Sequence, residues 1–283
     1  MKNLLIIILG LTFFLFCTGW LLFAPPKTET VIMPGHTPQG ITDEISTKAF
    51  QNHTQSIRVL FIGNSYTFFF DLPGMIVNIA DSDPDNKVQI TVQTISGGGL
   101  RLMDHWEKGN ARRILKKKPW DYVVLQNNSM WAMYKDLREE TQIYLPRFVN
   151  EARKAGVKPI FVKTWVRQPG SLWYEDRKHK SVLISPEHMY DTFNKETNAI
   201  AQKLKLDVMP LGDYWMFIHQ EHPALNLYAS DGTHPYVTGT YLNALLFYRY
   251  FTGNSLKNIT YIPGGIKKED AITLQEIAAY GQK

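Results

Sequence analysis

The chain has 283 residues, 44% of them hydrophobic and 20% charged, which excludes a disordered tail and supplies enough apolar mass for one generous core. Its formal charge is +5 and its only cysteine is Cys17, so the body of the chain has no disulfide framework, no cysteine-based zinc site and no cysteine nucleophile. Nothing repeats at a fixed period, which excludes a solenoid or propeller.

Leu4 to Ala24 is a nearly unbroken apolar run between Met1-Lys2-Asn3 and Pro25-Pro26-Lys27. It has the roughly 20 residues that a membrane-spanning helix needs and exceeds the roughly 7–15 of a signal-peptide core. Residues 1–25 are therefore expected to be an uncleaved membrane anchor, with the rest outside the cytoplasm; a cleaved signal peptide is the alternative. Lys2 and Lys27 flank the run too evenly to set its orientation. Residues 26–55, rich in Thr, Pro, Gly and Gln, show no apolar periodicity and read as a linker.

The folded domain is expected over residues 56–283. Ile57 to Ile62 reads as a buried strand, and a helix is expected from near Leu72, with Asp71 as N-cap and Pro73 in its first turn. Val88 to Val92 alternates as a strand does. Arg112 to Lys118 is a dense basic stretch that reads as the solvated last turn of a helix, where cations complement the dipole. No nucleic-acid motif accompanies it. Tyr122 to Leu125, Pro159 to Val162 and Val208 to Leu211 are further short apolar runs. Helical patterns cover Leu137 to Ala155, ending at Gly156, then Pro186 to Leu204, Val237 to Phe251 and Ile272 to Tyr280. Short β-rich runs alternating with helices predict an α/β fold whose mostly parallel sheet is covered on both faces. Ligands of such sheets bind at the carboxyl ends of the strands.

Two motifs fall at that edge. The first strand runs into Gly63-Asn64-Ser65-Tyr66-Thr67, placing a serine at a strand-to-helix junction; taken alone, this is also a polar turn with a capping serine. Near the C-terminus, Ser230-Asp231-Gly232-Thr233-His234-Pro235 precedes a helix. A serine hydroxyl needs a base to become a nucleophile, and a histidine oriented by a carboxylate can supply one. Asp231 and His234 are close enough in sequence to meet across one turn. Taken alone, this is also a loop with an Asx turn.

Together, in this order and spacing, Gly63-Asn64-Ser65 and Asp231-Gly232-Thr233-His234 resemble the blocks of the SGNH/GDSL hydrolase superfamily over roughly residues 56 to 255. The resemblance implies a flavodoxin-like three-layer α/β/α domain without a metal or other cofactor. It implies Ser65, His234 and Asp231 as a catalytic triad, with the Ser65 and Gly97 amides as oxyanion donors; Gly98 is the alternative within Ile95-Ser96-Gly97-Gly98-Gly99. The family's third block corresponds to Gln126-Asn127-Asn128-Ser129, which departs from the usual pattern at two positions. Asn128 is matched to the family's oxyanion asparagine, with Gln126 or Asn127 as alternatives. Asn64, Gln126, Trp131 and Trp165 are the candidate substrate contacts, the two tryptophans as platforms for a sugar ring, although core packing is the default for a tryptophan. His219 and His222 lack convincing carboxylate partners for a metal.

The expected activity is ester hydrolysis, with an acetylated glycan outside the cytoplasm as the plausible substrate. Transfer of the acyl group to a sugar hydroxyl and a non-catalytic carbohydrate-binding domain are the competing readings. Membrane association through the N-terminal segment is expected, and nucleic-acid binding is not.

Overall fold

The apolar run that begins near residue 55 becomes the central strand of a seven-stranded sheet. The computed structural model describes residues 40–48 and 53–280, and the expected anchor and most of the expected linker lie outside them. Among the described residues no helix is long and apolar enough to cross a membrane. In chain order the elements are β1 (Gly40–Ile41), β2 (Ile45–Ser46), β3 (Gln55–Gly63), α1 (Ser65–Phe68), α2 (Leu72–Ser82) and β4 (Val88–Ser96). Then come α3 (Leu102–Lys108), α4 (Asn110–Lys117), β5 (Tyr122–Leu125), α5 (Lys135–Lys154), β6 (Lys158–Val162) and α6 (Pro186–Leu204). The last are β7 (Asp207–Met209), α7 (Leu211–Glu221), α8 (Val237–Thr252) and α9 (Lys268–Tyr280).

Five strands run parallel in the order β4-β3-β5-β6-β7. The chain leaves β3 for β4 on one side and returns to β5 on the other, so the strand order reverses between β3 and β5. This switch point opens the crevice in which doubly wound sheets hold ligands. Register makes the edge level: Gly63 pairs with Ser96, and Ile62 pairs with Leu125.

Side chains alternate across the sheet, as the pleat requires. Val59 and Phe61 enter one core with Ile76, Ile79, Tyr241 and Leu245, while Leu60 and Ile62 enter the other with Leu115, Leu145, Phe148 and Phe193. Helices α2, α7, α8 and α9 cover the first face, and α3 to α6 the second. Burial on both faces explains why these strands read as continuous apolar runs.

One expectation needs correction. Residues 40–48 are not linker: β1 and β2 pair antiparallel with β4. Glu44, between them, holds Arg58 and Lys118. These strands cover an edge of β4 that would otherwise offer unpaired backbone groups. Two residues are too few to leave an alternating pattern in the sequence.

Gly239, in the first turn of α8, lets the loop before that helix fold back onto it. A Cβ there would strike the Leu227 carbonyl oxygen and come within 2.6 Å of the Trp215 ring. Gly239→Ala is therefore expected to destabilise the protein by about 1–3 kcal/mol through overpacking, measured as a lower midpoint of denaturant unfolding at unchanged slope.

Candidate active site

β3 ends at Gly63, where a Cβ would collide with the Thr67 hydroxyl and lie 2.7 Å from the Gln126 side-chain oxygen. Asn64 is extended and caps α1, its Oδ1 accepting the Tyr66 N–H at 3.1 Å. Its Nδ2 donates to the carbonyls of Leu100 and Asn127, and its own N–H donates to Gln126 Oε1 at 2.9 Å. Buried His105 donates from Nε2 to the Gly63 carbonyl at 2.7 Å. Burial pushes the His105 pKa down, keeping the ring neutral. Ser65 is thus the first residue of a short helix whose entry is bonded from several sides.

The second loop brings His234 to that serine. Its entry and exit pair through the Tyr228–Pro235 bridge and the bond from Ala229 N–H to the His234 carbonyl. Gly232 (φ 67°) turns the chain between them. Asp231 Oδ1 accepts the Thr233 and His234 N–H groups at 2.9 and 3.0 Å, and Oδ2 accepts from His234 Nδ1 at 2.5 Å. His234 Nε2 lies 2.8 Å from Ser65 Oγ. An ionised carboxylate only accepts, so Nδ1 carries a proton and Nε2 is left to accept from the serine. The Phe69 ring stacks on the imidazole at 4.2 Å, and Tyr66 meets it edge-on.

Partial burial pushes the Asp231 carboxyl up, but the hydrogen bonds from the His234 side chain and from the His234 and Thr233 amides outweigh it. The pKa falls from an ordinary 3.8 to about 2. A carboxyl whose pKa is lower in the folded state adds stability above its unfolded pKa, and that contribution is lost as pH falls through the folded value. The thermal-midpoint gap between the wild type and Asp231→Asn is therefore expected to be constant above about pH 4 and to close on acidification toward pH 2, as read by thermal scans across that range.

The other anticipated residues divide by burial. Gly97 is the first residue beyond β4 and leaves the sheet beside the Ser65 turn; it is buried, whereas Gly98 is exposed. Asn128 is half-buried, its Oδ1 accepting the Met130 N–H at 2.8 Å, and its Nδ2 makes no hydrogen bond among the described residues. Asn127 is buried and occupied, accepting from Leu102 N–H and donating to Thr141. Gln126 accepts from Asn64 and Thr67 and donates to the Asn127 carbonyl.

Four expected substrate contacts are therefore corrected. Asn64 and Gln126 are buried, their polar atoms bonded to the loops they brace. Trp131 is buried against Phe161 and Phe193. Trp165 is sandwiched between Tyr66 and Trp215, at 4.5 and 4.0 Å, and donates to the Thr233 carbonyl. Neither tryptophan offers a face to a sugar, because packing has taken both.

Tyr66, Phe69, Arg167 and Trp173 also surround the site, and nothing in the sequence around them marks them. Their partners lie up to 167 positions away along the chain, a distance no local pattern records. A cleft of about 620 Å³ is lined by Gln168, Ser171, Trp173, Asp176 and Asp231, among others. It borders the loop of Ser230, Asp231 and Gly232, and Ser65 does not line it. Among the described residues no group of His, Cys, Asp and Glu could hold a metal ion.

No protein-family model matches the chain, and no curated protein matches its sequence. Solved structures do match its fold. A DUF4886 family protein from Bacteroides uniformis superposes with a TM-score of 0.64 at 18% identity, covering 79% of this chain and 93% of that one. A candidate SGNH hydrolase from Slackia heliotrinireducens gives 0.56 at 22% identity, covering 69% and 99%. A candidate GDSL-like lipase from Parabacteroides merdae gives 0.52 at 15% identity, covering 72% and 98%. With five parallel strands in flavodoxin-like order, a serine at the end of the first and helices on both faces, this chain has the fold of the SGNH/GDSL hydrolases.

Proposed function

We propose that the chain is a serine esterase that releases short acyl groups, acetyl foremost, through an acyl-enzyme. The observation that carries the reading is the unbroken line from Asp231 through His234 to Ser65 at the carboxyl edge of the sheet. His234 Nε2 takes the Ser65 proton as Oγ attacks the ester carbonyl, and Asp231 steadies the imidazolium that forms. The carbonyl oxygen, now negative, is held by the Ser65 and Gly97 amides and the free Asn128 Nδ2. The intermediate collapses as His234 protonates the leaving alcohol. Water, deprotonated by His234, then attacks the acyl-serine and releases the acid, returning the proton to Ser65.

An acylated glycan outside the cytoplasm is the substrate class this reading favours, supported by the apolar Leu4 to Ala24 run that would tether the domain there. The half-buried, solvent-reaching Ser65 and His234 suit an ester displayed on a large molecule.

Ser65→Ala is expected to abolish p-nitrophenyl acetate turnover and labelling by a fluorophosphonate; unchanged turnover would end the proposal. Asn128→Ala should lower kcat by about a hundredfold or more as an oxyanion donor. Asn127→Ala should act differently, costing about 1–3 kcal/mol of stability because it strands the buried Leu102 N–H, a contrast read by pairing kinetics with denaturant unfolding.

A further inference from the structure

Arg167 lies beyond the end of β6, at the same edge as Ser65, and is 4% exposed. Its Nη1 donates to the Tyr66 hydroxyl at 2.5 Å and its Nη2 to Ser129 Oγ at 3.0 Å. Its Nε has no hydrogen-bond partner, and among the described residues no carboxylate pairs with it. A guanidinium buried without a counter-ion is costly. Packing alone would be served at less cost by an apolar side chain of similar volume.

Its partners show what the charge is attached to. Arginine can only donate, so the Tyr66 oxygen accepts from it and the Tyr66 O–H is free to donate to Thr233 Oγ1, 2.5 Å away. Tyr66 follows the serine, and Thr233 precedes the histidine. Ser129 follows Asn128. The guanidinium also lies 4.9 Å from the ring centre of Trp173, whose Nε1 donates to the Asp231 carbonyl at 2.7 Å. One buried cation therefore touches the nucleophile turn and the Asn128–Ser129 loop directly, and reaches the Asp231–His234 loop by two routes.

We propose that Arg167 is a positioning residue for acyl transfer: through Tyr66, Ser129 and Trp173 it holds the three loops in register, and its uncompensated charge favours the negative oxygen of the tetrahedral intermediate. The inference rests on the serine-esterase reading above. The ester is neutral before attack and gains its charge only at the transition state. A fixed cation nearby therefore acts on kcat and leaves KM almost untouched.

The test compares wild type, Arg167→Met, Arg167→Lys and Tyr66→Phe. Active sites are counted by stoichiometric fluorophosphonate labelling, and p-nitrophenyl acetate kinetics are expressed per labelled site. Arg167→Met is expected to lose about thirtyfold or more in kcat, with KM changed by less than about threefold. Arg167→Lys should regain about tenfold of that loss because the charge returns. Tyr66→Phe, which keeps the cation but cuts the link to Thr233, should fall between Arg167→Met and wild type.

If Arg167→Met does not fold, Arg167→Lys and Tyr66→Phe decide the matter: a loss in kcat per site at constant KM supports the proposal, and wild-type kcat in both overturns it. A folded Arg167→Met with wild-type kcat per site and only a lower melting temperature also overturns it. So does a raised KM at constant kcat, which would make Arg167 a substrate contact. A wild type that neither turns over nor labels Ser65 removes the esterase reading itself and this inference with it. An active wild type with insensitive variants removes this inference alone.

Discussion

The parallel register of β3 between β4 and β5 is the constraint on which the site depends. Gly63 stands opposite Ser96, and Ile62 opposite Leu125. The three strands therefore end at one level, and the segments that follow them, 64–68, 97–100 and 126–129, emerge side by side. A one-residue slip would invert the side chains of β3 between the two cores, so burial of Val59, Leu60, Phe61 and Ile62 holds the register that aligns these segments.

The histidine that meets Ser65 at that edge arrives from far along the chain. The loop between Leu227 and Tyr236 is closed on itself by backbone bonds and pinned to α8 at Gly239. Within it, the Asp231 carboxylate is anchored by two amides before it reaches His234. The aspartate needs no support from the sheet, which is why it can be half-exposed and still hold the imidazole in one tautomer. Phe69 and Tyr66 then confine the ring from the Ser65 side.

Beneath Ser65 and His234 lies a layer of buried polar residues. Asn64, Gln126 and Asn127 spend their side chains on the backbones of neighbouring loops, so they behave as struts. Gln126, in the block that departs from the family pattern, has a structural account here. Its carboxamide fills the space beside Gly63 and accepts from both Asn64 and Thr67.

The sequence by itself determined the five parallel strands, several of the helices that cover them and the pair of short motifs, because burial on two faces leaves continuous apolar runs and a serine with an Asp–His pair needs few residue types. β5 and α6 have the bounds that the residue pattern predicts, and α2 starts where Asp71 and Pro73 predict. Only the tertiary structure decided what surrounds the tryptophans, the asparagines and Arg167. Whether Trp165 faces a ligand or a neighbouring ring, and whether Asn127 or Asn128 has a donor to spare, depends on partners dozens of positions away. The short edge strands β1 and β2 were illegible for the related reason that two residues carry no period. Local patterns record which face is buried, and they carry no information about which distant group lies against it.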